Sequence, residues 1–278
     1  MSSILVTGSN GFIGKKIIER FPESEVLGDN SGLNRIDLTN IEQLLKIDPV
    51  QTVIHLAGKT PKNDYSWRDY FDNNVKSTMN ILEYCILKKV KKLIFVSSYV
   101  YGKPKYNPID EKHPIVPHNA YAESKILGEK LCEFYSKNSE LNVIILRPFN
   151  IYGSSMNQGF FLSNLIKSIK NNEKMSIINK NSKRDFLHIN DFVEMISKII
   201  SYESKFEIFN VGTGESFSFN EIIKMVENWI PKKIEIEYSE DKEIFIEDIR
   251  SDISKIQDAI NWKPKIKLDD GLKEILKI

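Results

Sequence analysis

Three glycines directly after an apolar run most restrict how this chain can fold. Gly8, Gly11 and Gly14 follow the run Ile-Leu-Val at residues 4–6 and precede a helical pattern of isoleucines. This order predicts a strand, a glycine turn and a helix. Glycines let a phosphate group approach the backbone amides at a helix start, where the helix dipole favours an anion. The cluster therefore predicts a dinucleotide site, and a tight β–α turn without a ligand is the alternative.

The first half of the chain alternates short apolar runs with helix-length segments. Strands are predicted at residues 52–56, 92–96 and 142–146, and helices at residues 70–88 and 121–136. These runs have no polar face, so they indicate a parallel sheet covered on both sides. The expected fold class is α/β, a Rossmann-type doubly wound parallel sheet with a smaller C-terminal substrate-binding lobe.

The pattern of elements changes after Arg147-Pro148, and the domain boundaries are drawn from this change. The expected dinucleotide-binding domain is residues 1–150 together with about 186–212. The expected substrate-binding lobe is residues 151–185 and 213–278.

Two capping-box patterns predict further helix starts. They are Thr39 with Glu42, and Ser218 with Glu221.

An acid at the end of the second strand is expected to bind the adenosine ribose of a dinucleotide. Asp29 follows residues 26–28, and its carboxylate favours NAD over NADP because it would repel a 2′-phosphate. A plain turn acid is the alternative for Asp29. Asp37 is a candidate for the adenine amino group, with a helix-cap role as its alternative.

A tyrosine four residues before a lysine on a helix places both side chains on one face, where the ammonium can lower the tyrosine pKa. The spacing occurs at Tyr84/Lys88, Tyr99/Lys103, Tyr101/Lys105, Tyr121/Lys125 and Tyr238/Lys242. The pair Tyr121/Lys125 is favoured because it begins its helix and follows the strand that ends in Ser97-Ser98. A serine hydroxyl and the tyrosine could then meet at the carboxyl edge of the sheet, where ligands of such folds bind.

At this point the sequence resembles the extended short-chain dehydrogenase/reductase family, in its nucleotide-sugar epimerase/dehydratase group. The matching segments run in order along nearly the whole chain. They are Thr7-Gly-Ser-Asn-Gly-Phe-Ile-Gly14, His55-Leu-Ala-Gly58, Asn73-Asn74-Val75, Val96-Ser-Ser-Tyr-Val-Tyr-Gly102, Tyr121-Ala-Glu-Ser-Lys125, Arg147-Pro-Phe-Asn-Ile-Tyr-Gly153, Arg184-Asp-Phe-Leu-His188, Asn210-Val-Gly212 and Asn261-Trp-Lys-Pro264.

The resemblance implies a catalytic set of Ser97, Tyr121 and Lys125. The family's serine lies four positions before the Tyr-Gly pair, which selects Ser97 over Ser98. Tyr121 would exchange a proton with a sugar hydroxyl, Ser97 would hydrogen-bond the same oxygen, and Lys125 would hold the nicotinamide ribose. Asn74 resembles the family's helix-kink asparagine, and a local backbone bond is its alternative.

The resemblance also implies the positions that bind each ligand. The implied cofactor positions are Gly8, Asn10, Gly11, Phe12, Ile13, Gly14, Asp29, Asp37, Leu38, Leu56, Ala57, Gly58, Asn74, Tyr121 and Lys125. The implied substrate positions are Ser97, Ser98, Tyr121, Asn150, Arg184 and Arg250. The substrate would be a nucleotide diphosphate sugar, since an arginine fork matches phosphate oxygens. Arg147 is expected to be structural, whereas His55 and His188 are each either a buried structural residue or a site residue.

Two reactions remain open for such a site. A 4,6-dehydratase is disfavoured because Ser98 and Tyr99 occupy the places of that enzyme's Asp-Glu pair. A nucleotide-sugar 4-epimerase with bound NAD is favoured, and an NAD(P)H-dependent reductase of a 4-keto-6-deoxy sugar is the alternative. A non-catalytic dinucleotide-sensing regulator would be expected to lack Tyr121 or Lys125. Cell-surface polysaccharide biosynthesis is the expected setting.

Charge and cysteine content narrow the expected partners. With 39 basic and 38 acidic residues there is no global field for nucleic acid or an anionic membrane. Cys85 and Cys132 lie in helix patterns outside any Cys/His cluster, so reduced thiols, no metal and a cytoplasmic protein are expected. The start carries no signal-peptide pattern and no run reaches the length of a membrane span. The resemblance further implies a homodimer through the helices at 70–88 and 121–136.

Overall fold

The computed structural model describes residues 3–27, 36–61, 65–231, 233–238 and 248–278. Within these ranges the strands are β1 Ile4–Thr7, β2 Glu25–Leu27, β3 Thr52–His55, β4 Lys92–Val96, β5 Asn142–Pro148, β6 Asn150–Tyr152, β7 Met175–Ile177, β8 Lys183–Arg184, β9 Phe186–His188, β10 Phe206–Val211, β11 Phe217–Ser218, β12 Ile236–Tyr238 and β13 Asp248–Ile249. The α-helices are α1 Phe12–Arg20, α2 Ile41–Leu44, α3 Trp67–Tyr70, α4 Ser77–Leu87, α5 Ala120–Lys137, α6 Phe161–Asn171, α7 Ile189–Ser201, α8 Phe219–Glu227, α9 Ser254–Ile260 and α10 Leu268–Leu276.

The chain divides into two compact units. Unit 1 is Met1–Gly102, Ile115–Pro148 and Ile196–Phe209, and unit 2 is Lys103–Pro114, Phe149–Met195 and Asn210–Ile278. The segment Lys103–Pro114 therefore belongs to unit 2, whereas the sequence placed it in the dinucleotide-binding domain. The functions expected for the two units remain predictions.

Unit 1 is built on a sheet with the strand order β10-β5-β4-β3-β1-β2. The pairings β1–β2, β1–β3, β3–β4 and β4–β5 are all parallel. All residues of β1, β3 and β4 are buried, as expected for strands covered on both faces. The predicted α/β fold with a doubly wound parallel sheet is confirmed. In such a sheet the carboxyl ends of the strands share one edge, which brings the residues that follow β1, β3 and β4 together.

The predicted helix at residues 70–88 is a composite of three segments. It begins earlier, with the short helix α3, passes through the π-helical segment Phe71–Lys76, and continues as α4. Side chains compete for backbone carbonyls there: Ser77 Oγ donates to the Asn73 carbonyl, and Thr78 Oγ1 donates to the Asn74 carbonyl at 2.7 Å. Such a π-helical turn widens the backbone locally, and it often occurs at functional sites.

The two predicted capping boxes had different outcomes. Ser218 accepts from the Glu221 amide, and Glu221 in turn accepts from the Ser218 amide, so that box is confirmed. At the other site the prediction was wrong, because the cap of α2 is Asn40, whose side chain accepts from the Glu42 and Gln43 amides. The Thr39 hydroxyl instead donates to Asp37 Oδ1 at 2.8 Å.

Unit 2 contains small sheets that organise the residues after β5. β8 pairs antiparallel with β11 and parallel with β13, while β6 pairs parallel with β9. An apolar core that includes Leu165, Ile222 and Leu272 lies beneath these strands, and all three of these side chains are fully buried. The strands therefore hold Asn150, Arg184 and Arg250 on a rigid support.

Among the described residues no helix is both long enough and apolar enough to cross a membrane. The same ranges contain no group of three or more His, Cys, Asp or Glu side chains placed to hold a metal ion.

Candidate active site

The turn after β1 has the close packing that its glycines predicted. Gly8 has φ +71, and a Cβ there would lie 2.8 Å from the Ala57 backbone nitrogen. A Cβ at Gly14 would lie 2.2 Å from the Gly8 carbonyl oxygen. Both positions therefore require glycine, because any side chain would collide with backbone.

The same turn leads directly into helix α1. Gly11 is the N-cap of the nine-residue α1, and no side chain caps the helix there. Asn10 precedes this cap, while Phe12 and Ile13 open the helix. Backbone amides at an uncapped helix start favour an anionic group. The cradle fits the pyrophosphate of a dinucleotide, which is the group that the sequence predicted.

A buried chain of hydrogen bonds joins the end of β1 to the π-helical segment. Thr7 Oγ1 lies 2.7 Å from His55 Nδ1, and His55 Nε2 lies 3.1 Å from Thr78 Oγ1. Burial, with a smaller effect of the Lys125 charge, lowers the His55 pKa to about 3, so the imidazole is neutral at physiological pH. His55 is thus a structural link between strand and helix, which is one of the two roles that the sequence left open for it.

The segment after β3 is held by Asn74. Asn74 Oδ1 accepts from the Lys59 amide at 2.7 Å, while Nδ2 donates to the Lys59 carbonyl at 3.1 Å and to Ser124 Oγ at 2.9 Å. The Ala57 amide donates to Thr7 Oγ1 at 3.2 Å. Asn74 therefore ties the residues 56–59 to the first turn of α5, which bears Tyr121 and Lys125.

The two acids predicted to contact the adenosine moiety have different outcomes. Asp29 lies outside the described residues. Asp37 is exposed, and its Oδ1 accepts from the Thr39 amide at 2.9 Å. This is a local turn contact and differs from the helix-cap role named as its alternative, because Asn40 caps α2. The Leu38 carbonyl accepts from Asn80 Nδ2 at 2.9 Å. Cofactor contacts of Asp37 and Leu38 remain predictions.

Tyr121 lies in the first turn of α5, as the sequence indicated. Asn119 begins this helix by accepting from the Ala122 amide at 2.8 Å. Burial raises the Tyr121 pKa, a hydrogen bond from the Ser98 hydroxyl opposes this rise, and Tyr70 adds to it. The expected lowering of this pKa by Lys125 is therefore not found. The ring of Tyr70 lies 6.1 Å from that of Tyr121, edge to face.

Lys125 lies one turn further along the same face of α5. Its Nζ donates to the Val96 carbonyl at 2.8 Å and lies 4.8 Å from the centre of the Phe95 ring. The side chain is 6% exposed, and burial lowers its pKa to about 8, although the Glu129 carboxylate opposes this. The ammonium is thereby anchored at the carboxyl end of β4.

The two serines after β4 have different partners. Ser97 is 4% exposed, and its hydroxyl donates to Glu129 Oε1 at 2.5 Å. Ser98 is half-buried, and its hydroxyl is the one that hydrogen-bonds Tyr121. The structure thus brings Ser98, Tyr121 and Lys125 to one end of the sheet, and it directs the hydroxyl of Ser97 to Glu129.

Glu129 belongs to a buried ion pair. Arg147 Nη2 donates to Glu129 Oε2 at 2.6 Å, and Arg147 Nε donates to Oε1 at 3.0 Å. Arg147 Nη1 also donates to the Tyr101 hydroxyl at 2.8 Å. Arg147 is 3% exposed, so this arginine has the structural role expected for it.

In unit 2 the three predicted substrate residues gather around Asp185. Asn150 Nδ2 donates to the Asp185 carbonyl at 2.9 Å. Arg184 immediately precedes Asp185 and lies opposite Ile249 in the β8–β13 pairing, which places Arg250 alongside. The Arg184 guanidinium lies 5.6 Å from the centre of the Phe219 ring. The buried Nε of Arg250 has no hydrogen-bond partner among the described residues.

The Asp185 carboxylate is fully occupied by neutral donors. It accepts from Ser251 Oγ at 2.5 Å, from the Thr213 amide at 2.8 Å, from Thr213 Oγ1 at 2.7 Å and from the Gly214 amide at 3.1 Å. Through these hydrogen bonds the carboxylate links the end of β8 to the residues after β13 and to the turn after β10. Arg184 itself donates through Nη1 to the Lys183 carbonyl at 2.8 Å, and diphosphate contacts of Asn150, Arg184 and Arg250 remain predictions.

Sequence reasoning missed Glu129, Asp185 and Tyr70. Glu129 carried a signal, because it lies four residues after Lys125 and eight after Tyr121 on one helix face. Asp185 lies within the quoted Arg-Asp-Phe segment, but its partners come from distant turns. Tyr70 is brought to Tyr121 by packing of α3 against α5, which no local pattern reveals.

These features define a dinucleotide-binding α/β protein with a paired tyrosine and lysine at the carboxyl edge of its sheet. Residues 4–212 match the model of the NAD dependent epimerase/dehydratase family, and the chain belongs to this family. The resemblance seen in the sequence is thereby confirmed.

Similar proteins cover almost the full length of the chain. A putative UDP-glucose 4-epimerase of Methanocaldococcus jannaschii is 30% identical over 98% of this chain and 97% of that protein. A dTDP-4-dehydro-6-deoxyglucose reductase of Escherichia coli is 28% identical over 99% and 97% of the two chains. Among solved structures, a UDP-glucuronic acid 4-epimerase from Bacillus cereus in complex with UDP-glucuronic acid and NAD has a TM-score of 0.88. It is 26% identical, and the match covers 99% of each chain.

Proposed function

We propose that this chain is a nucleotide-sugar 4-epimerase that uses NAD for reversible hydride transfer at sugar C4. The observation that carries this proposal is the hydrogen-bonded Tyr121 on one helix face with the buried Lys125, at the edge where the glycine cradle lies. The relative that is a putative UDP-glucose 4-epimerase supports the same reaction class.

The cradle around Gly8, Gly11 and Gly14 would hold the dinucleotide pyrophosphate, and Lys125 would hold the nicotinamide ribose. When bound, the nicotinamide supplies a reversible acceptor for the hydride of sugar C4. Tyr121 exchanges the proton of the C4 hydroxyl: its phenolate takes the proton as the sugar is oxidised, and its phenol returns the proton as the ketone is reduced. A hydroxyl of the Ser97-Ser98 pair hydrogen-bonds the same oxygen.

Binding of the substrate's diphosphate is assigned to residues of unit 2. Asn150, Arg184 and Arg250 would contact the diphosphate of the nucleotide sugar. Two guanidinium groups suit this task because each can donate a pair of parallel hydrogen bonds to phosphate oxygens.

Elimination of water from the sugar is not supported by the residues after Ser97. The Tyr99 hydroxyl donates to the Gly102 carbonyl at 2.5 Å, and Ser98 bears no carboxyl group. No acid and base pair is therefore present at these two positions, in keeping with the sequence-based preference against a 4,6-dehydratase.

The second candidate is an NAD(P)H-dependent reductase of a nucleotide-linked 4-keto-6-deoxy sugar. The reductase relative from Escherichia coli favours it, because its similarity extends over 99% of this chain. The same tyrosine, lysine and serine would serve, with Tyr121 donating its proton to the ketone oxygen. A non-catalytic regulator is disfavoured because Tyr121 and Lys125 are both present in their expected places.

The test is incubation of the full chain with a panel of UDP-sugars without added cofactor, followed by NMR detection of C4 epimers. Interconversion supports an epimerase. Consumption of NADH or NADPH in proportion to an added 4-keto-6-deoxy sugar, without epimerisation, would instead establish the reductase. Tyr121→Phe should lower turnover by about 100- to 10,000-fold in either case. The matched control is Tyr238→Phe, which changes an exposed tyrosine with the same lysine spacing.

Oligomeric state, location and pathway are proposed with the activity. Exposed apolar side chains on the two predicted interface helices, Leu87 at 59% and Phe134 at 62%, support a homodimer. A cytoplasmic enzyme that supplies sugars for cell-surface polysaccharide fits a nucleotide-sugar substrate. Light scattering of the wild type and of Leu87→Lys measures the dimer: the variant should be monomeric, and a monomeric wild type would refute it.

A further inference from the structure

We propose that Tyr70 is a positioning residue that fixes the ring of Tyr121, and that Lys59 acts on Tyr121 through it. This inference rests on the proposed function, because it concerns the tyrosine that exchanges the sugar proton there. Tyr70 ends the short helix α3 and Lys59 lies in the segment after β3, so both act through contacts between separate elements.

The contact of Tyr70 with Tyr121 is an aromatic pair. The two ring centres are 6.1 Å apart, and the ring planes are inclined by 64°. Edge-to-face pairs at this distance are attractive, and the attraction depends on the orientation of both rings. Tyr70 is 5% exposed, whereas Tyr121 is half-buried. The ring of Tyr121 therefore rests on a buried ring, which restricts the directions in which its hydroxyl can point.

Tyr70 is held in turn by the residues that begin α3. Its ring packs edge to face against that of Tyr65, with the ring centres 5.8 Å apart. Tyr65 precedes Ser66, whose hydroxyl accepts from the Asp69 amide, while Asp69 accepts from the Ser66 amide. A helix of four residues is not stable by itself. The capping box and the aromatic pair therefore fix the direction in which Tyr70 leaves this helix.

Lys59 connects the start of α3 to the segment after β3. Its Nζ donates to Asp69 Oδ1 at 2.9 Å and lies 4.2 Å from the centre of the Tyr65 ring. A cation at this distance is attracted by the face of an aromatic ring. The hydrogen bond from Lys59, together with those from Ser66, holds the Asp69 pKa well below its usual range. The Asp69 carboxylate is thus ionised at neutral pH, and Lys59 holds both Asp69 and Tyr65.

The backbone of Lys59 is fixed by a residue that also reaches the helix of Tyr121. Asn74 accepts from the Lys59 amide at 2.7 Å and donates to the Lys59 carbonyl at 3.1 Å. Asn74 Nδ2 also donates to Ser124 Oγ at 2.9 Å, and Ser124 Oγ donates to the Tyr121 carbonyl at 2.7 Å. Tyr121 is thereby held at its carbonyl through Ser124 and at its ring through Tyr70. Both routes lead back to Lys59, so the contacts form a closed ring.

These contacts matter because proton exchange depends on where the Tyr121 hydroxyl points. A misplacement of reacting groups by about 1 Å can lower a rate by roughly 100-fold. Helix α5 fixes the backbone of Tyr121, but its ring can still turn about the side-chain bonds, and the surface of Tyr70 limits this turning. Because Tyr70 is buried, its loss should disturb the reacting hydroxyl and leave substrate binding intact. We therefore expect an effect on kcat and little effect on KM.

The experiment measures kcat and KM of full-length variants with the UDP-sugar that the wild type epimerises or, for a reductase, with the 4-keto sugar that it reduces. Tyr70→Leu removes the aromatic surface and should lower kcat by about 10- to 100-fold, while KM changes by less than about threefold. Tyr70→Phe keeps the ring and should retain kcat within about threefold of the wild type. The matched control is Tyr84→Leu, because Tyr84 is a fully buried tyrosine of α4 whose hydroxyl donates to the Asp48 carbonyl at 2.7 Å. Its Tm should fall while kcat is unchanged.

The part played by Lys59 is tested by a double-mutant cycle. Lys59→Met removes the cation but leaves the ring of Tyr70, so kcat should fall by about 3- to 10-fold, less than in Tyr70→Leu. In the double variant kcat should fall no further than in Tyr70→Leu, because both changes act on the position of the same ring. A loss equal to the product of the two single losses would overturn the role of Lys59.

Two results would overturn the role of Tyr70. They are a wild-type kcat in Tyr70→Leu, and a loss of kcat in Tyr70→Phe as large as in Tyr70→Leu. If Tyr70→Leu fails to fold, Tyr70→Met provides a second variant without the ring, since methionine adapts to an irregular space.

Tyr121→Phe separates this inference from the proposed function. Turnover that survives Tyr121→Phe refutes the proposed function itself. An inactive Tyr121→Phe beside a fully active Tyr70→Leu refutes the positioning role alone.

Discussion

Two arginines, one in each unit, show how the same side chain serves packing or binding. Arg147 in unit 1 is 3% exposed and donates to Glu129 and Tyr101 through all of its nitrogens. Arg250 in unit 2 has a buried Nε with no partner among the described residues. Its neighbouring carboxylate, Asp185, is occupied by Ser251, Thr213 and Gly214.

The difference lies in the carboxylate nearest each arginine. Glu129 neutralises the charge of Arg147, so this buried ion pair has a structural role. Asp185 accepts from hydroxyl and amide groups, and the proposed function assigns Arg250 beside it to an anionic ligand. A binding arginine can thus be recognised by what its acidic neighbour does, and the following substitutions test that distinction.

The largest effect is expected from removing one partner of the buried ion pair between Arg147 and Glu129. Arg147→Met leaves the Glu129 carboxylate buried without its partner and should lower the free energy of unfolding by about 3–5 kcal/mol. Urea denaturation followed by circular dichroism measures this. The double variant Glu129→Leu with Arg147→Met should recover much of the loss, because no charge then remains buried. A single variant as stable as the wild type would contradict the structural role.

Removing the guanidinium of Arg250 in unit 2 should weaken ligand binding and leave the stability of the fold unchanged. Arg250→Met should weaken binding of UDP about 10- to 100-fold, the range of one or two charge-assisted hydrogen bonds. Isothermal titration calorimetry measures the Kd, and Arg68→Met changes an exposed arginine of α3 as the control. Unchanged UDP affinity together with a lowered Tm would place Arg250 in the same class as Arg147.

The third test concerns the other buried cation of unit 1. Lys125 has a pKa lowered to about 8 by burial, so its ammonium is present below that pH and is lost above it. If the ammonium is needed, turnover should fall about tenfold from pH 8 to pH 9.5. Lys125→Arg keeps the charge and should remove this fall, although its basal rate will be lower. A flat profile of the wild type to pH 9.5 would contradict a role for the charge.

The smallest effects are expected at two helix starts, one in each unit. Ser218→Ala removes a reciprocal capping box of α8, and Asn40→Ala removes the cap of α2. Each should cost about 1 kcal/mol of stability in thermal unfolding, without a change in turnover. The position before the cap of α2 offers a control, since Thr39→Ala should cost less stability than Asn40→Ala. The reverse order would restore Thr39 as the cap.

Local patterns predicted the parts of the site that one short segment determines. The glycine turn was recognised from its glycine spacing after an apolar run. The structure explains this spacing, because Gly8 and Gly14 pack against backbone of the same β–α unit and of Ala57. Tyr121 and Lys125 were recognised because helix spacing puts both on one face and because this pair begins the helix that follows Ser97-Ser98.

Features that depend on long-range contacts were not predicted. The π-helical segment arises from competing side-chain bonds of Ser77 and Thr78, the latter of which also meets His55 from β3. The Ser97 hydroxyl donates to Glu129, which in turn accepts from Arg147, and these two residues lie on two other elements. The spacing of residues along the sequence reveals neither the contact of Ser97 with Glu129 nor that of Glu129 with Arg147.

The division of the chain into units bears on whether either half can be exchanged as a module. The chain passes from one unit to the other five times, so no single cut separates them. A fragment ending at residue 148 would lack the carbonyls of Ile200 and Tyr202, which accept from Lys92 Nζ at 2.7 and 2.6 Å. That ammonium is 5% exposed, and it would be left at the start of β4 without these two hydrogen-bond acceptors. An exchange of unit 2 with that of a relative therefore has to graft separate segments onto an intact chain, because a contiguous fragment would include part of unit 1.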